Sequence, residues 1–187
     1  HSASASYTLT MPNNDGDANQ VLTTDGSGVL SFAAAGGITQ ADQWRLTANI
    51  SGTNAVITSN LSQVSGAVVG TGMSVSSGIF TFPETGVYLI ITRLELNRVD
   101  ASDNVFLSTN LTTDNSSYTE IDRPAYSNKA STFTAEVNSI GISFVDITNV
   151  STHKVRFETE SMASGTAFSG SSSKNKTTFS FIRLGDT

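Results

Sequence analysis

The stretch "GIFTFPETGVYLIITRLELN", Gly78 to Asn97, constrains the fold more than any other part of the chain. The turn residues Pro83 to Gly86 separate two apolar segments, which predicts two strands joined by a tight connection. A strand with one face in water alternates apolar and polar residues, but Val87 to Ile91 are apolar at every position. Alternation returns only from Arg93 onward. This strand therefore needs apolar partners on both faces, and something must cover the second face.

Period-two patterns recur through the remaining chain. In "KVRFETE", Val155 and Phe157 alternate with charged residues, which predicts a strand with one face on a core. Two further segments carry apolar residues on both faces: Phe179 and Phe181 opposite Ile182 and Leu184, and Ile140, Ile142 and Phe144 opposite Val145 and Ile147. No window carries a convincing helical stripe. Many short strands with polar turns predict an all-β antiparallel sandwich.

The first third of the chain has a different pattern. Apolar runs at Gln20–Thr24 and 29–32 flank the turn signal Asp25-Gly26-Ser27-Gly28, which predicts a small β-hairpin. Before it, Tyr7, Leu9 and Met11 are expected on one face of a short strand. The small-residue segment 33–37 is typical of a linker, so we expect residues 1–37 to form a leader and connector module. Residues 38–187 would form the main domain, and an isolated connector favours a fragment of a longer protein.

Composition excludes several classes of function. The chain has net charge -6, with 10 basic and 16 acidic residues and no basic run, so a nucleic-acid footprint is absent. No apolar run reaches the roughly 18 residues of a membrane helix, so we expect no membrane insertion. Because the chain has no cysteine, disulfides and thiol catalysis are excluded. Charged residues make up only 14%, a composition common in secreted and particle-surface β proteins.

Groups that could carry catalysis are few. His153 is the one histidine outside the leader, and no nucleophile-elbow, zinc-protease or phosphate-loop motif occurs. Glu158 and Glu160 share one strand face, as a glycosidase pair would, but basic Lys154 and Arg156 precede them there and indicate a solvated charge ladder. We expect no enzyme and no cofactor. A surface depolymerase that uses these glutamates is the enzymatic alternative.

Two loop regions are candidates for binding. Tyr118 and Tyr126 lie in the polar loop 114–129 with Arg123 and Asn128, and binding residues concentrate on loops held by rigid sheets. This loop is the expected receptor-contact region, the alternative being that both tyrosines pack over a core edge.

A second loop holds Asp100 and Asp103, whose oxygen ligands would suit Ca²⁺. Their spacing matches no calcium-loop pattern, and turns use the same residues, so they are a weak calcium candidate and no metal is expected. The single tryptophan, Trp44, is expected in the core.

The central stretch resembles the signature of complement-type and tumour-necrosis-factor-like (TNF-like) jelly rolls, a Gly-x-Phe-x-x-Pro-x-x-Gly-x-Tyr pattern. The matching residues are Gly78, Phe80, Pro83, Gly86 and Tyr88. The ending "TTFSFIRLGD" is similar to that superfamily's last strand, and the resemblance covers about residues 42–184. It implies a jelly roll in which three protomers bury a sheet face around a threefold axis. Val87, Leu89 and Ile91 would then form the trimer interface, the alternative being that a loop or the amino-terminal hairpin covers them within one chain.

The front of the chain resembles modules repeated in bacteriophage tail fibres, through the pattern "LxxP…DGxxxQVLxTDGSGxLSF" from Leu9 to Phe32. "DQWRLT" and "GTGMSVSSGIFTFPETGVYLI" are similar to carboxy-terminal domains of marine phage proteins, cyanophages among them. The resemblance implies a non-enzymatic homotrimeric virion appendage protein, such as a tail fibre, spike or horn, at the particle surface. Its partners would be itself, other tail proteins and a host surface glycan or protein. The alternative is a secreted, extracellular bacterial lectin-like module.

Overall fold

The computed structural model of the protein describes residues 6–51, 54–98, 104–127, 135–162 and 166–187. The chain divides into two compact units, His1–Gly37 and Ile38–Thr187. Every regular element in the described residues is a β-strand, and no helix occurs among them. The all-β prediction is confirmed.

The first unit is a hairpin of β1 (Gln20–Thr24) and β2 (Leu30–Ala34), paired antiparallel. Its turn is held by the Asp25 carboxylate, which accepts from the backbone N–H of Ser27 at 2.8 Å and of Val29 at 3.1 Å. The strand predicted around Leu9 does not form. Thr10 makes a single parallel bridge to Val29, and two residues later Pro12 has no N–H to donate.

The second unit is a sandwich of two sheets. Its thirteen strands are β3 (Ala41–Leu46), β4 (Ile50–Ser51), β5 (Leu61–Val69), β6 (Ser74–Ser76), β7 (Ile79–Thr81), β8 (Gly86–Arg98), β9 (Asn104–Thr112), β10 (Thr119–Asp122), β11 (Ala125–Ser127), β12 (Ala135–Ile147), β13 (Lys154–Glu160), β14 (Thr166–Phe168) and β15 (Thr178–Gly185). The seven-stranded sheet has the order β4-β14-β8-β15-β3-β5, with β12 added on β8, and the six-stranded sheet has the order β10-β9-β13-β7-β6, with β11 added on β9. All pairings within these sheets are antiparallel.

Aromatic side chains fill the space between the sheets. Phe157 and Phe179, from opposite sheets, stack with ring centroids 4.2 Å apart, and Trp44 meets Phe80 edge-on at 5.4 Å. Trp44 is buried, as the sequence predicted. Such ring pairs stabilise by about 0.5–1.5 kcal/mol each beyond their area, so this cluster ties the two sheets together at their centre.

The central strand β8 has partners on both edges. β12 pairs along its whole length, while β15 and then β14 pair along the other edge. Tyr88 and Ile90 point into the core and are buried. The residues that alternate with them point to the opposite face of the sheet, which is the face that the sequence left unexplained.

Candidate functional site

The outer face of the seven-stranded sheet carries two neighbouring rows of mainly apolar side chains. The register aligns Phe144 with Leu89, Leu89 with Ile182, Ile182 with Ala41, and Ala41 with Val69. This first row crosses five strands. In the next row Ile142 pairs with Ile91, which is followed by Ser180 and Gln43. We call these two rows, together with Ile140 at the next outward position of β12, the apolar face.

The edge strand β12 presents the most exposed part of the apolar face. Ile140, Ile142 and Phe144 are 61%, 59% and 67% exposed, whereas the predicted interface residues Val87, Leu89 and Ile91 are half-buried within the protomer. The sequence placed the three β12 residues on one side of a strand, but the predicted trimer interface did not include them. The same signal, apolar residues on both faces of one strand, could have found them.

At the opposite edge of the face lies a groove of about 320 Å³, lined by residues 66–69 of β5, by Ser180 and Ile182 of β15, and by residues 41–43 of β3. The register shift that forms it pairs Asp42 with Val68 but Trp44 with Gln63. Four β5 residues therefore stand opposite Gln43 alone and bulge away from the sheet. The exposed Val68 and Val69 form its outer wall. This groove was not predicted from the sequence.

A buried carboxylate fixes the strands around the groove. Asp42 Oδ2 accepts hydrogen bonds from Trp44 Nε1 at 2.7 Å, from Gln63 Nε2 at 2.9 Å and from the backbone N–H of Met73 at 2.9 Å. Asp42 is 4% exposed. Because its donors come from β3, β5 and the turn before β6, this one oxygen holds three segments in place.

Charged groups bound the apolar face at both ends. At one end Arg93 contacts Glu95 at 3.2 Å, and Lys176 contacts the other oxygen of Glu95 at 3.1 Å. At the other end Arg183 contacts Glu84 at 3.2 Å and also pairs with Asp186. The uncharged part of the face is thus confined to the middle of the sheet.

The outer face of the six-stranded sheet holds the residues predicted to contact a receptor. The Arg156 guanidinium lies over the Tyr118 ring at 3.8 Å and contacts Glu158 at 2.7 Å. Burial raises the pKa of Tyr118, and the positive charge of Arg156 opposes that shift. The ring is therefore half-buried beneath a cation and reaches solvent only in part.

A second arginine stacks in the same way. Arg123 lies over the Phe106 ring at 4.2 Å, and its guanidinium pairs with Glu160 and Glu120. The structure therefore adds Phe106 and Arg156 to the predicted set, and their alternation with core residues on β9 and β13 was the available signal.

The remaining predicted receptor residues do not join this surface. Tyr126 packs against the hydrophobic core, which is the alternative that the sequence left open. Asn128 lies outside the described residues.

The candidates for catalysis and metal binding are engaged elsewhere or undescribed. Glu158 and Glu160 each pair with an arginine, as a charge ladder predicts, and His153 is buried beside the hydroxyls of Thr148 and Thr152. Asp100 and Asp103 lie outside the described residues. Among the residues that are described, no group of three acidic or histidine side chains could hold a metal ion, and none of them belongs to a helix that could cross a bilayer.

Comparison with known proteins identifies the architecture. The structure of Eiger TNF from S. frugiperda aligns with a TM-score of 0.62 at 10% identity, covering 81% of this chain and 96% of that one. Murine APRIL at pH 5.0 aligns with a TM-score of 0.57 at 13% identity, covering 78% and 98%. The fold is a TNF-like jelly roll. No protein-family model matches the chain. No curated protein matches its sequence either.

The structure explains the Gly-x-Phe-x-x-Pro-x-x-Gly-x-Tyr spacing of the sequence. Gly78 has φ +80°, and a Cβ there would overlap the Ile57 carbonyl. The Tyr88 hydroxyl donates to the Glu84 carbonyl at 3.0 Å and closes the turn that begins at Pro83. Burial, reinforced by the nearby Glu84 charge, raises the pKa of Tyr88 to about 12. The signature residues therefore set the β7–β8 connection, which positions the apolar face.

Proposed function

We propose that the protein is the non-enzymatic, homotrimeric head of a phage virion appendage, and that it contributes to attachment to the host surface. The observation that carries this proposal is the apolar face, whose β12 side chains are about three-fifths exposed in one protomer. Exposed apolar surface of this extent favours association. The phage assignment and the particle-surface location rest on the sequence resemblance.

The two edges of the apolar face are complementary to each other. Phe144 projects from β12 at one edge, while the groove beside Val69 lies at the other. A contact between different patches is heterologous, and with a suitable rotation it closes into a ring. In the proposed trimer, Phe144 of each protomer enters the groove of the next.

Burial of apolar surface would supply the driving force for such a ring. Apolar burial stabilises by about 25 cal/mol per Å², so about 1,000 Å² contributes on the order of 25 kcal/mol before association costs. The charged groups at both ends of the face would keep neighbouring protomers aligned, because displacement along the strands would bury Arg93 against apolar side chains.

Solution mass tests the trimer. Light scattering coupled to size exclusion should give 3 × 19.6, about 59 kDa, and Phe144→Asp should shift the protein toward the protomer mass. Ile121→Asp is the matched control, because Ile121 is an exposed apolar residue on β10 of the other sheet. A monomeric unmodified protein would refute the trimer.

Engineered cysteines test the contact itself. The chain has no cysteine, so Phe144→Cys combined with Val69→Cys introduces the only two thiols. Oxidation should give cross-linked dimers and trimers with no larger species, and either single variant should stay uncrosslinked. Efficient cross-linking of Phe144→Cys alone would indicate a twofold contact instead.

We further propose that attachment uses the stacked Tyr118–Arg156 and Phe106–Arg123 pairs on the outer face of the six-stranded sheet. Aromatic rings with neighbouring guanidinium groups suit stacking and hydrogen bonding to a surface glycan. Three such sites on one head would add avidity to weak contacts. A glycan array should detect binding that Tyr118→Ala and Arg123→Ala both abolish. Binding unchanged in both variants would place the receptor site elsewhere.

A further inference from the structure

Buried oxygen atoms cluster where the edges of the two sheets meet. The edge strands are β12 in the seven-stranded sheet and β10 with β11 in the six-stranded sheet. Gly141 of β12 pairs with Thr92 of β8, and Asp122 of β10 pairs with Thr109 of β9. Ser143 follows on the same inward face of β12 as Gly141. We call Thr92, Thr109, Asp122 and Ser143 the edge cluster.

Gly141 shows that the Asp122 carboxylate reaches across from one sheet to the other. A Cβ atom on Gly141 would overlap Asp122 Oδ2, and it would lie 2.6 Å from Thr92 Oγ1 and 2.8 Å from Pro124 Cδ. Both oxygens therefore crowd the same small space beside the glycine. A side chain larger than hydrogen would displace them.

The oxygens of the edge cluster have no hydrogen-bond partner within the described protein. Seven buried side-chain polar atoms lack a partner there, and four belong to this cluster: Thr92 Oγ1, Thr109 Oγ1, Asp122 Oδ2 and Ser143 Oγ. Thr109, Thr92 and Ser143 are 0%, 1% and 8% exposed. Leaving such groups unpaired is costly. Their concentration at one place points to a ligand from outside the chain.

We propose that the edge cluster binds an ordered water molecule as a structural ligand. The carboxylate oxygen can only accept, while each hydroxyl can both donate and accept. One water can donate to Asp122 Oδ2 and to one hydroxyl and can accept from the other two, which gives the four bonds that a buried water makes at most. A calcium ion would use only the acceptors and would find one carboxylate where such sites gather several.

The bound water would join the two sheets at the edge that bears the β12 side chains of the apolar face. It would link β8 and β12 to β9 and β10 through polar groups, beside the stacked Phe157 and Phe179, which pair in register with Thr109 and Thr92. This inference does not depend on the proposed function, because it concerns the interior of one protomer.

The sign of a stability change tests the proposal. Thr92→Val and Thr109→Val keep the shape of the side chain and remove its hydroxyl. If water is bound, each variant should lower the folding equilibrium constant roughly tenfold. If the hydroxyls have no partner, replacing them with methyl groups should leave stability unchanged or raise it, and that result would overturn the proposal.

Thr177→Val sets the scale for a hydroxyl with a known partner, because Thr177 Oγ1 donates to the Glu95 carbonyl at 3.2 Å and is fully buried. The double variant Thr92→Val/Thr109→Val should cost less than the sum of the single variants, since the first substitution already weakens the shared water. Strict additivity would contradict a shared ligand.

A crystal structure of the unmodified protein should show one solvent peak within hydrogen-bonding distance of Asp122 Oδ2 and at least two of the hydroxyls. A direct Thr92–Asp122 hydrogen bond without that peak would overturn the proposal. Thermal unfolding after chelation, with and without added Ca²⁺ or Na⁺, separates water from a cation. A cation-dependent rise in Tm that Asp122→Asn removes would assign the site to that ion instead.

Discussion

Replacing Asp42 with alanine should destabilise the protein by about 2–6 kcal/mol. The carboxylate is 4% exposed and accepts three hydrogen bonds through one oxygen. Without it, Trp44 Nε1 and the Met73 N–H remain buried with no acceptor, at about 1–3 kcal/mol each. Gln63 is half-buried and can turn toward water, so its loss adds little.

Trp44 provides the assay. It is the only tryptophan in the chain, and its indole N–H donates directly to Asp42 at 2.7 Å. Urea unfolding followed by tryptophan fluorescence, at one fixed protomer concentration, should show the loss as a lower midpoint with a similar slope. The folded variant should also emit at longer wavelength if water replaces the carboxylate beside the indole.

Asp42→Asn is the matched variant, since it keeps the volume and one carbonyl acceptor but removes the charge. Hydrogen bonds to a neutral acceptor are weaker, so it should cost about 1–2 kcal/mol. Two outcomes would refute the reasoning that three hydrogen bonds to one oxygen fix this region. The first is a loss of less than about 1 kcal/mol in the free energy of unfolding of Asp42→Ala, and the second is an Asp42→Asn variant that is as unstable as Asp42→Ala.

Three further predictions concern single residues. In the unmodified protein, one of the four tyrosines should titrate near pH 12 by ultraviolet absorbance, and Tyr88→Phe should remove it. The raised pKa of Tyr88 means that its contribution to stability is complete below pH 10 and disappears as the pH rises through about 12. Hydrogen bonds from the Ser117 and Ser116 N–H groups lower the pKa of Asp114, so its contribution is present above pH 3.8 and is lost as the pH falls further. Asp114→Ala should therefore weaken the pH dependence of unfolding in acid, and an unchanged acid profile would contradict this. Gly78→Ala should lower the free energy of unfolding in urea by about 1–3 kcal/mol or more, because the positive φ and the Ile57 carbonyl both oppose a Cβ. Gly66→Ala is the control, since Gly66 has a similar φ but open space around it, and it should cost less.

The period-two pattern predicted the core strands, because successive side chains of a strand point to opposite faces and each buried residue is followed by an outward-facing residue. Phe157, Phe179 and Phe181 are buried as that pattern requires. The pattern also located a strand with two apolar faces. Tyr88 and Ile90 face the core, and the apolar residues that alternate with them, Val87, Leu89 and Ile91, face the other side of the sheet.

Features that depend on residues far apart in the chain were beyond local patterning. The groove arises from the register between β3 and β5, and no pattern within either strand specifies a bulge of that size. The stacking of Arg156 on Tyr118 likewise needs two segments separated by 37 intervening residues, 119–155, to meet. The segment around Leu9 has the alternation of a strand, but it makes only one bridge, so the pattern there was misleading.

The pairing of β8 with β12 has a consequence for how the protein reaches its final state. In sequence these strands are separated by β9, β10 and β11, which belong to the other sheet, so the pairing of β8 with β12 closes a long loop. Folds with many such distant pairings form slowly and pass through species with unpaired edges. In the proposed trimer, a newly made protomer would carry exposed Ile142 and Phe144 until it meets a neighbouring protomer. The yield of folded protein in the cell should therefore depend on how fast chains are produced. A high local concentration favours assembly of the proposed trimer, whereas slow production or elevated temperature favours aggregation.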